Sequence, residues 1–157
     1  MLNRKTTYGI HALLFLARHA DQGFIPIVRI SESLVVSRKF LERILAELKE
    51  EGLVVSHAGR DGGYSLGSQG LDLGLSEVVR VLEGPIALLP CASHRFFTAC
   101  NECPDPNSCG LQDALVQVRN DTVHSLKQMT LGRMLTAEAE MNSGLRPLQR
   151  PTPYSRD

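Results

Sequence analysis

Four cysteines, Cys91, Cys100, Cys103 and Cys109, fall within nineteen residues of a 157-residue chain. They lie between Leu89 and Gly110, a stretch with neither helical nor strand periodicity that also holds Pro90, Pro104 and Pro106. Thiolates are soft donors that select zinc or iron–sulfur clusters, and an irregular loop lets donors distant in sequence converge. Cys100-x-x-Cys103 has the spacing of half a zinc site, but Cys91 and Cys109 do not make a second close pair. A thiol–disulfide switch needs only two of the four. Spacing therefore leaves cluster, zinc and thiol switch open. His94 falls inside the same stretch.

A second group of polar residues opens a helical pattern at Ser37-Arg38-Lys39-Phe40-Leu41-Glu42-Arg43. With Phe40, Leu41 and Ile44 turned inward, Arg38, Lys39, Glu42 and Arg43 cluster on the outer face of the first turns. Arginine pairs with guanine, glutamate accepts from the cytosine amino group, and lysine and serine hold phosphates. Such a face alone is equally a solvated, charge-paired surface. A glycine-rich turn downstream changes the balance: it carries Arg60, which can reach a minor groove or a phosphate from there, and His57 and Tyr64 flank it.

Certain elements must position these groups. Tyr8, Ala12, Leu13, Phe15, Leu16 and Ala20 give an amphipathic helix over Lys5 to Ala20 with a broad buried face, stopped by Gly23. A short connector leads to a brief helix over Val28 to Leu34. Ser37 caps a third helix that runs to about Glu51, with Gly52 at its C-terminus. The period then changes: Leu53 to His57 and Tyr64 to Leu66 read as two strands around Ala58 to Gly63. Three helices and a hairpin in this order predict a winged helix-turn-helix.

Leu75 to Leu82 predicts another short helix, ended by Gly84-Pro85. A long helix begins near Leu111, with Leu111, Leu115, Val118, Thr122, Leu126 and Met129 as its stripe. Too little of the N-terminal domain remains to cover that stripe, so it reads as a subunit interface rather than as core against the first helix. From about Glu138 the chain turns polar, with Pro147, Pro151 and Pro153, and predicts a poorly ordered tail.

Composition narrows the classes. Lys+Arg and Asp+Glu each number 17, so any nucleic-acid contact must come from a local basic face. With no Trp, three Tyr and five Phe, a base-stacking single-strand binder is disfavoured. No apolar run approaches a bilayer span, and the early run Ile10 to Ala17 ends at Arg18 and His19 without a cleavage signal. The expectation is a cytoplasmic protein with no membrane partner. A phosphate-binding glycine loop, an HExxH helix and a nucleophile elbow are all lacking, which argues against an enzyme.

In combination, the motifs resemble the winged-helix regulators typified by IscR, NsrR and RirA. The resemblance covers about residues 2–137. It rests on Tyr8-Gly9-Ile10, the run Val36 to Leu45, Gly52-Leu53-Val54 and Gly62-Gly63-Tyr64-Ser65-Leu66. It continues through Leu82-Glu83-Gly84-Pro85-Ile86, Cys103-x5-Cys109-x-Leu111 and Thr130-Leu131. It implies a homodimer on palindromic double-stranded operator DNA, with an iron–sulfur cluster ([2Fe-2S] or [4Fe-4S]) held by Cys91, Cys103 and Cys109. Candidates for a fourth ligand are Cys100, His11 of the partner subunit's first helix, and His94. Two branches of these regulators carry an aspartate and a histidine where this chain has Thr7 and Gln112.

The expected fold is mainly α with a small β-hairpin: a winged helix-turn-helix plus a long C-terminal dimerisation helix. Residues 1–83 form the DNA-binding domain, 84–110 the cysteine-rich cluster-binding loop, 111–137 the dimerisation helix and 138–157 the flexible tail. Ser37, Arg38, Lys39, Glu42, Arg43, His57 and Arg60 are the expected DNA contacts. The expected function is that of a dimeric regulator, a repressor, sensing iron, redox or nitric oxide status. The alternatives are a DNA-binding regulator with a thiol–disulfide switch and a zinc-stabilised protein-interaction module.

Overall fold

The first helix, α1 (Arg4–Arg18), is the centre of the molecule. Asn3 caps it, its side chain accepting the Thr6 amide N–H at 2.9 Å. Six consecutive residues, Ala12 to Ala17, are buried, because other helices pack around this turn rather than along one stripe. The computed structural model describes residues 2–100, 105 and 108–149. Its further elements are α2 (Ile27–Leu34), α3 (Arg38–Glu50), β1 (Val54–His57), β2 (Gly63–Leu66), α4 (Leu75–Leu82), α5 (Gly110–Gln128) and α6 (Leu131–Asn142). Helices α2, α3, α4 and α6 all contact α1. Gly9 permits a close approach of α4, since a Cβ there would collide with Leu82.

The expected winged helix is present. Helix α2 ends at Val35, whose backbone is left-handed (φ 50°, ψ 50°). That conformation is costly for a β-branched residue. It makes the sharp turn that lets Ser37 cap α3 by accepting the Phe40 amide N–H at 3.3 Å. Strands β1 and β2 pair antiparallel in the register Val54↔Leu66, Val55↔Ser65, Ser56↔Tyr64 and His57↔Gly63. The connector before α2 joins them: Ile25 N–H donates to the Tyr64 carbonyl at 2.8 Å, and Tyr64 N–H returns to the Ile25 carbonyl at 2.9 Å. A side chain at Gly63 would strike that carbonyl, so this glycine provides clearance as well as a turn.

Two expectations are corrected beyond residue 110. The single helix over 111–137 is two helices, α5 and α6. The helix breaks at Met129, Thr130 is extended, and the two pair with the segment around Gly74: Leu75 N–H donates to the Met129 carbonyl, and Leu131 N–H to the Leu73 carbonyl, each at 3.0 Å. Thr130 then caps α6 through its hydroxyl, which accepts the Arg133 amide N–H at 3.3 Å, and Leu131 is fully buried. The tail does not begin at Glu138, because α6 runs to Asn142. Glu138 itself receives Arg18 of α1 in a forked ion pair, Nη2 at 2.7 Å and Nε at 3.2 Å. Helix α6, not α5, covers α1 on this side. Residues 150–157 of the expected tail, Pro151 and Pro153 among them, lie outside the described residues.

Candidate DNA-reading face and cysteine segment

Helix α3 divides its residues by face. Leu41, Ile44, Leu45 and Leu48 are buried, while Ser37, Arg38, Lys39, Glu42 and Arg43 are exposed. Arg38 Nε donates to Glu42 Oε1 at 3.0 Å, one turn along the same face. This pair uses Nε, and among the described residues neither terminal guanidinium nitrogen of Arg38 is engaged, so both can donate outward. Lys39 and Arg43 form no ion pair among the described residues. At the helix start, then, three cations and one carboxylate stand on a surface held rigid by the buried face. That is the arrangement that enters a major groove.

The wing places its two expected contacts differently. Arg60 is exposed at the tip of the hairpin. His57 sits at the end of β1 with its ring 5.4 Å from that of Phe24, so it packs on the connector as well as facing solvent. Arg29 of α2 is a further exposed cation that the sequence reading missed, and its Nη1 donates to Gln22 Oε1 at 2.6 Å. A basic residue on the first helix of a helix-turn-helix was the available signal, since that helix crosses the DNA backbone.

The cysteine segment returns onto α5. Cys91 lies in a tight turn, Pro90–Ala92, and is half-buried. Cys109 is the N-cap of α5, also half-buried, its Sγ accepting the Gln112 amide N–H at 3.5 Å. The side chain of Gln112 reaches the other way and donates to the Cys91 carbonyl at 3.0 Å. One residue thus touches both the first and the last cysteine of the segment. Cys100 is exposed, Cys103 lies outside the described residues, and His11 and His94 are exposed. Among the described residues no three His, Cys, Asp or Glu side chains are grouped to hold a metal ion.

Near α1, Glu83 accepts the backbone N–H of Asn3 and, at 3.0 Å, the Asn3 side-chain amide. The backbone N–H chiefly holds the Glu83 carboxyl below the usual carboxylate range. This contact ties the start of α1 to the end of α4, just where the chain leaves for the cysteine segment.

A short helix, a sharp turn, a rigid helix with a cationic exposed start and an adjoining hairpin define a DNA-binding transcription regulator of the winged helix-turn-helix class. No helix among the described residues is long and apolar enough to cross a membrane. The chain belongs to the Rrf2 family, described as iron-dependent transcriptional regulators, which matches residues 2–137. It is 36% identical over 140 residues to an rrf2-like HTH-type transcriptional regulator of Rhodobacter capsulatus, covering 87% of this chain and 93% of that one. Among solved structures it is similar to CymR (YrzC), the global cysteine regulator of B. subtilis, with TM-score 0.68 and 26% identity over 87% of this chain and 96% of that one. It is equally similar to T. potens IscR, with TM-score 0.68 and 26% identity over 90% of each chain.

Proposed function

We propose that this chain is a homodimeric, operator-binding repressor whose DNA affinity follows iron, redox or nitric oxide status through an iron–sulfur cluster. Residues up to 83 read a palindromic duplex with Ser37, Arg38, Lys39, Glu42, Arg43, His57 and Arg60. The segment 84–110 supplies Cys91, Cys103 and Cys109 as ligands, with Cys100, His94 or the partner's His11 as the fourth. The observation that carries the sensing half is the double contact of Gln112. It draws Cys91 and Cys109, eighteen positions apart, to the start of one helix. The Cys109 thiol at the helix N-terminus, with the Cys91 backbone tied beside it, suits a soft metal centre, because the positive end of the helix favours thiolate. When bound, a cluster supplies chemistry sensitive to oxidants and nitric oxide. The family's description as iron-dependent accords with this reading.

The dimer rests on α5. None of its residues is buried, and Leu111 and Val118 are 61% and 47% exposed. Two copies of this face, one against the other, would set the spacing of two α3 helices on a two-fold operator.

The test is iron and sulfide content of anaerobically purified protein, for the wild type and for each cysteine changed singly to serine, beside operator binding in the same samples. Cys91→Ser, Cys103→Ser and Cys109→Ser are each expected to lose iron. Full iron retention by both Cys91→Ser and Cys109→Ser would overturn the ligand assignment. A thiol switch is the second reading, favoured by the exposure of Cys100. It predicts iron-free protein whose operator affinity changes reversibly with oxidant and reductant.

A further inference from the structure

On the flank of α3 away from its cationic start lies a cleft of about 630 Å³ that holds none of the proposed DNA contacts and none of the cysteines; His94, one of the three candidates for the fourth cluster ligand, is on its lining. Its volume is within the roughly 300–1,000 Å³ typical of small-molecule sites. One wall is the C-terminal end of α3, with Glu50 and Glu51. The rest of the lining comes from α4, α5 and the loop after Cys91, which bring in Arg80, Arg119 and Arg95. The neighbouring Glu47 is occupied by Lys5 at 2.9 Å. Glu50, Glu51, Arg80, Arg95 and Arg119 form no ion pair among the described residues. Opposite charges thus line one cavity without neutralising each other.

The apolar part of the lining comes from Val81, Ile86 and Phe96. Phe96 is 65% exposed, although its backbone is fixed: its amide N–H donates to Ser93 Oγ at 3.1 Å. A simple anion entering here would meet two carboxylates, and a simple cation three guanidiniums. A compact molecule carrying both charges suits a lining that holds both. An ammonium on Glu50 and Glu51 and a carboxylate on the arginines leave a side chain against Phe96.

We propose that this cleft binds an α-amino acid with an apolar side chain, and that the bound amino acid is an effector of operator affinity; the second half rests on the DNA-binding reading above. The cleft is walled by the recognition helix, by α5 and by the chain leading from Cys91, so a ligand that spans it couples the three. A ligand that prefers one arrangement of those elements must, by linkage, shift affinity for whatever else prefers it.

Calorimetry on the full chain under reducing conditions tests the binding half without DNA. The probes are L-phenylalanine and L-leucine, with phenethylamine and hydrocinnamate as one-charge controls. Saturable binding of at least one amino acid is expected, and each one-charge control should bind at least about tenfold more weakly, the loss of one charge-assisted contact. Arg95→Gln, and separately Glu50→Gln with Glu51→Gln, should each weaken binding by at least about tenfold. All three positions are exposed, and circular dichroism melting reports whether the variants remain folded. No saturable binding of either amino acid, or equal binding of the controls, overturns the site. Operator titration with and without the amino acid tests the effector half. A several-fold shift is expected, and an unchanged operator affinity with the amino acid bound overturns it. Loss of operator binding in both titrations would instead count against the DNA-binding reading, with the calorimetric result standing by itself.

Discussion

The side-chain amide of Gln112 donates to the carbonyl of Cys91 at 3.0 Å, while its own backbone N–H points at the sulfur of Cys109. This hydrogen bond ties the Cys91 backbone to α5, on which the Pro90–Ala92 turn also packs. Gln112→Ala removes that link and leaves a partly buried carbonyl without its donor. We expect a loss of about 1 kcal/mol in stability. The more specific readout is alkylation of metal-free, reduced protein followed by peptide mass analysis. Modification of Cys91 should accelerate in the variant, while that of the exposed Cys100 should not change. Equal Cys91 rates in variant and wild type would show that the bond does not hold the segment.

On α3, the Arg38–Glu42 pair, beside Lys39 and Arg43 that form no ion pair among the described residues, invites a division of roles. A residue that pairs with a base should cost about 1–3 kcal/mol on truncation and relax preference at one base position. A phosphate contact should weaken all sequences alike and lower the salt slope by about one. Arg43→Ala, one turn inside the helix, is expected to behave in the first way. Arg60→Ala, at the hairpin tip, is expected to behave in the second. Operator titrations over a range of salt, with single-base variants of the site, separate the two. Unchanged binding by Lys39→Ala combined with Arg43→Ala would remove this surface from consideration as the reader.

Local signals made the winged helix legible. Ser37 before a helical run, Gly52 after it and the glycine turn before Tyr64 each specify a boundary through backbone chemistry that tertiary context does not override. The break at Met129–Thr130 was missed because the apolar stripe continues through it. Thr130 is an ordinary N-cap type, yet what stops the helix is pairing with Leu73 and Leu75, over fifty residues away. For the same reason Glu138 looked like the start of a polar tail: its partner Arg18 is 120 positions distant. In the cysteine segment the sequence supplied the donors but not their meeting point. Gln112 reads in the sequence only as a departure from a histidine, and its two hydrogen bonds depend on how the loop folds back. Cys103 lies outside the described residues, and its role continues to rest on spacing and resemblance.

Val35 offers a test of the turn between α2 and α3. Its side chain is 88% exposed, so almost no burial is lost by changing it, and its left-handed backbone is strained. Asparagine tolerates that conformation. Val35→Asn should therefore raise stability by roughly 1 kcal/mol in chemical denaturation without altering the slope of the transition. A destabilised variant would mean that Val35 is held in a contact made only in the assembled protein.

Glu83 carries a pH signature with a definite sign. The Asn3 backbone N–H depresses its carboxyl pKa in the folded state. Folding is therefore favoured by its ionised form. The contribution is fully present above the unfolded pKa, roughly 4.3 for a glutamate, and is lost as pH falls through the folded value. Glu83→Gln should lower stability near neutrality and flatten the acid limb of the stability curve, leaving the alkaline limb parallel to that of the wild type. Solvent screens this exposed group, so the effect should be modest. An acid limb of unchanged steepness would show that the Asn3 contact does not persist in solution.

Val118 separates an interface from an ordinary exposed position. It is 47% exposed in the single chain and lies on the stripe with Leu111, Leu115, Leu126 and Met129. On an isolated subunit Val118→Glu should cost little, because surface substitutions usually stay within about 0.5 kcal/mol. If two α5 helices pack together, the same change buries an unpaired carboxylate at a dimer seam, and obligate seams typically bury more than about 2,000 Å² in total. Sedimentation should then show dimers for the wild type and monomers for Val118→Glu at micromolar concentration. The monomers should keep the helical spectrum of the parent. Their operator affinity should fall steeply, since one subunit engages one half-site and the second contact is no longer tethered to the first. On a single half-site duplex, variant and wild-type subunits should bind alike, which isolates the loss to the pairing of subunits rather than to damage at α3. A wild-type protein that sediments as a monomer at micromolar concentration would leave the exposed face of α5 without its proposed occupant.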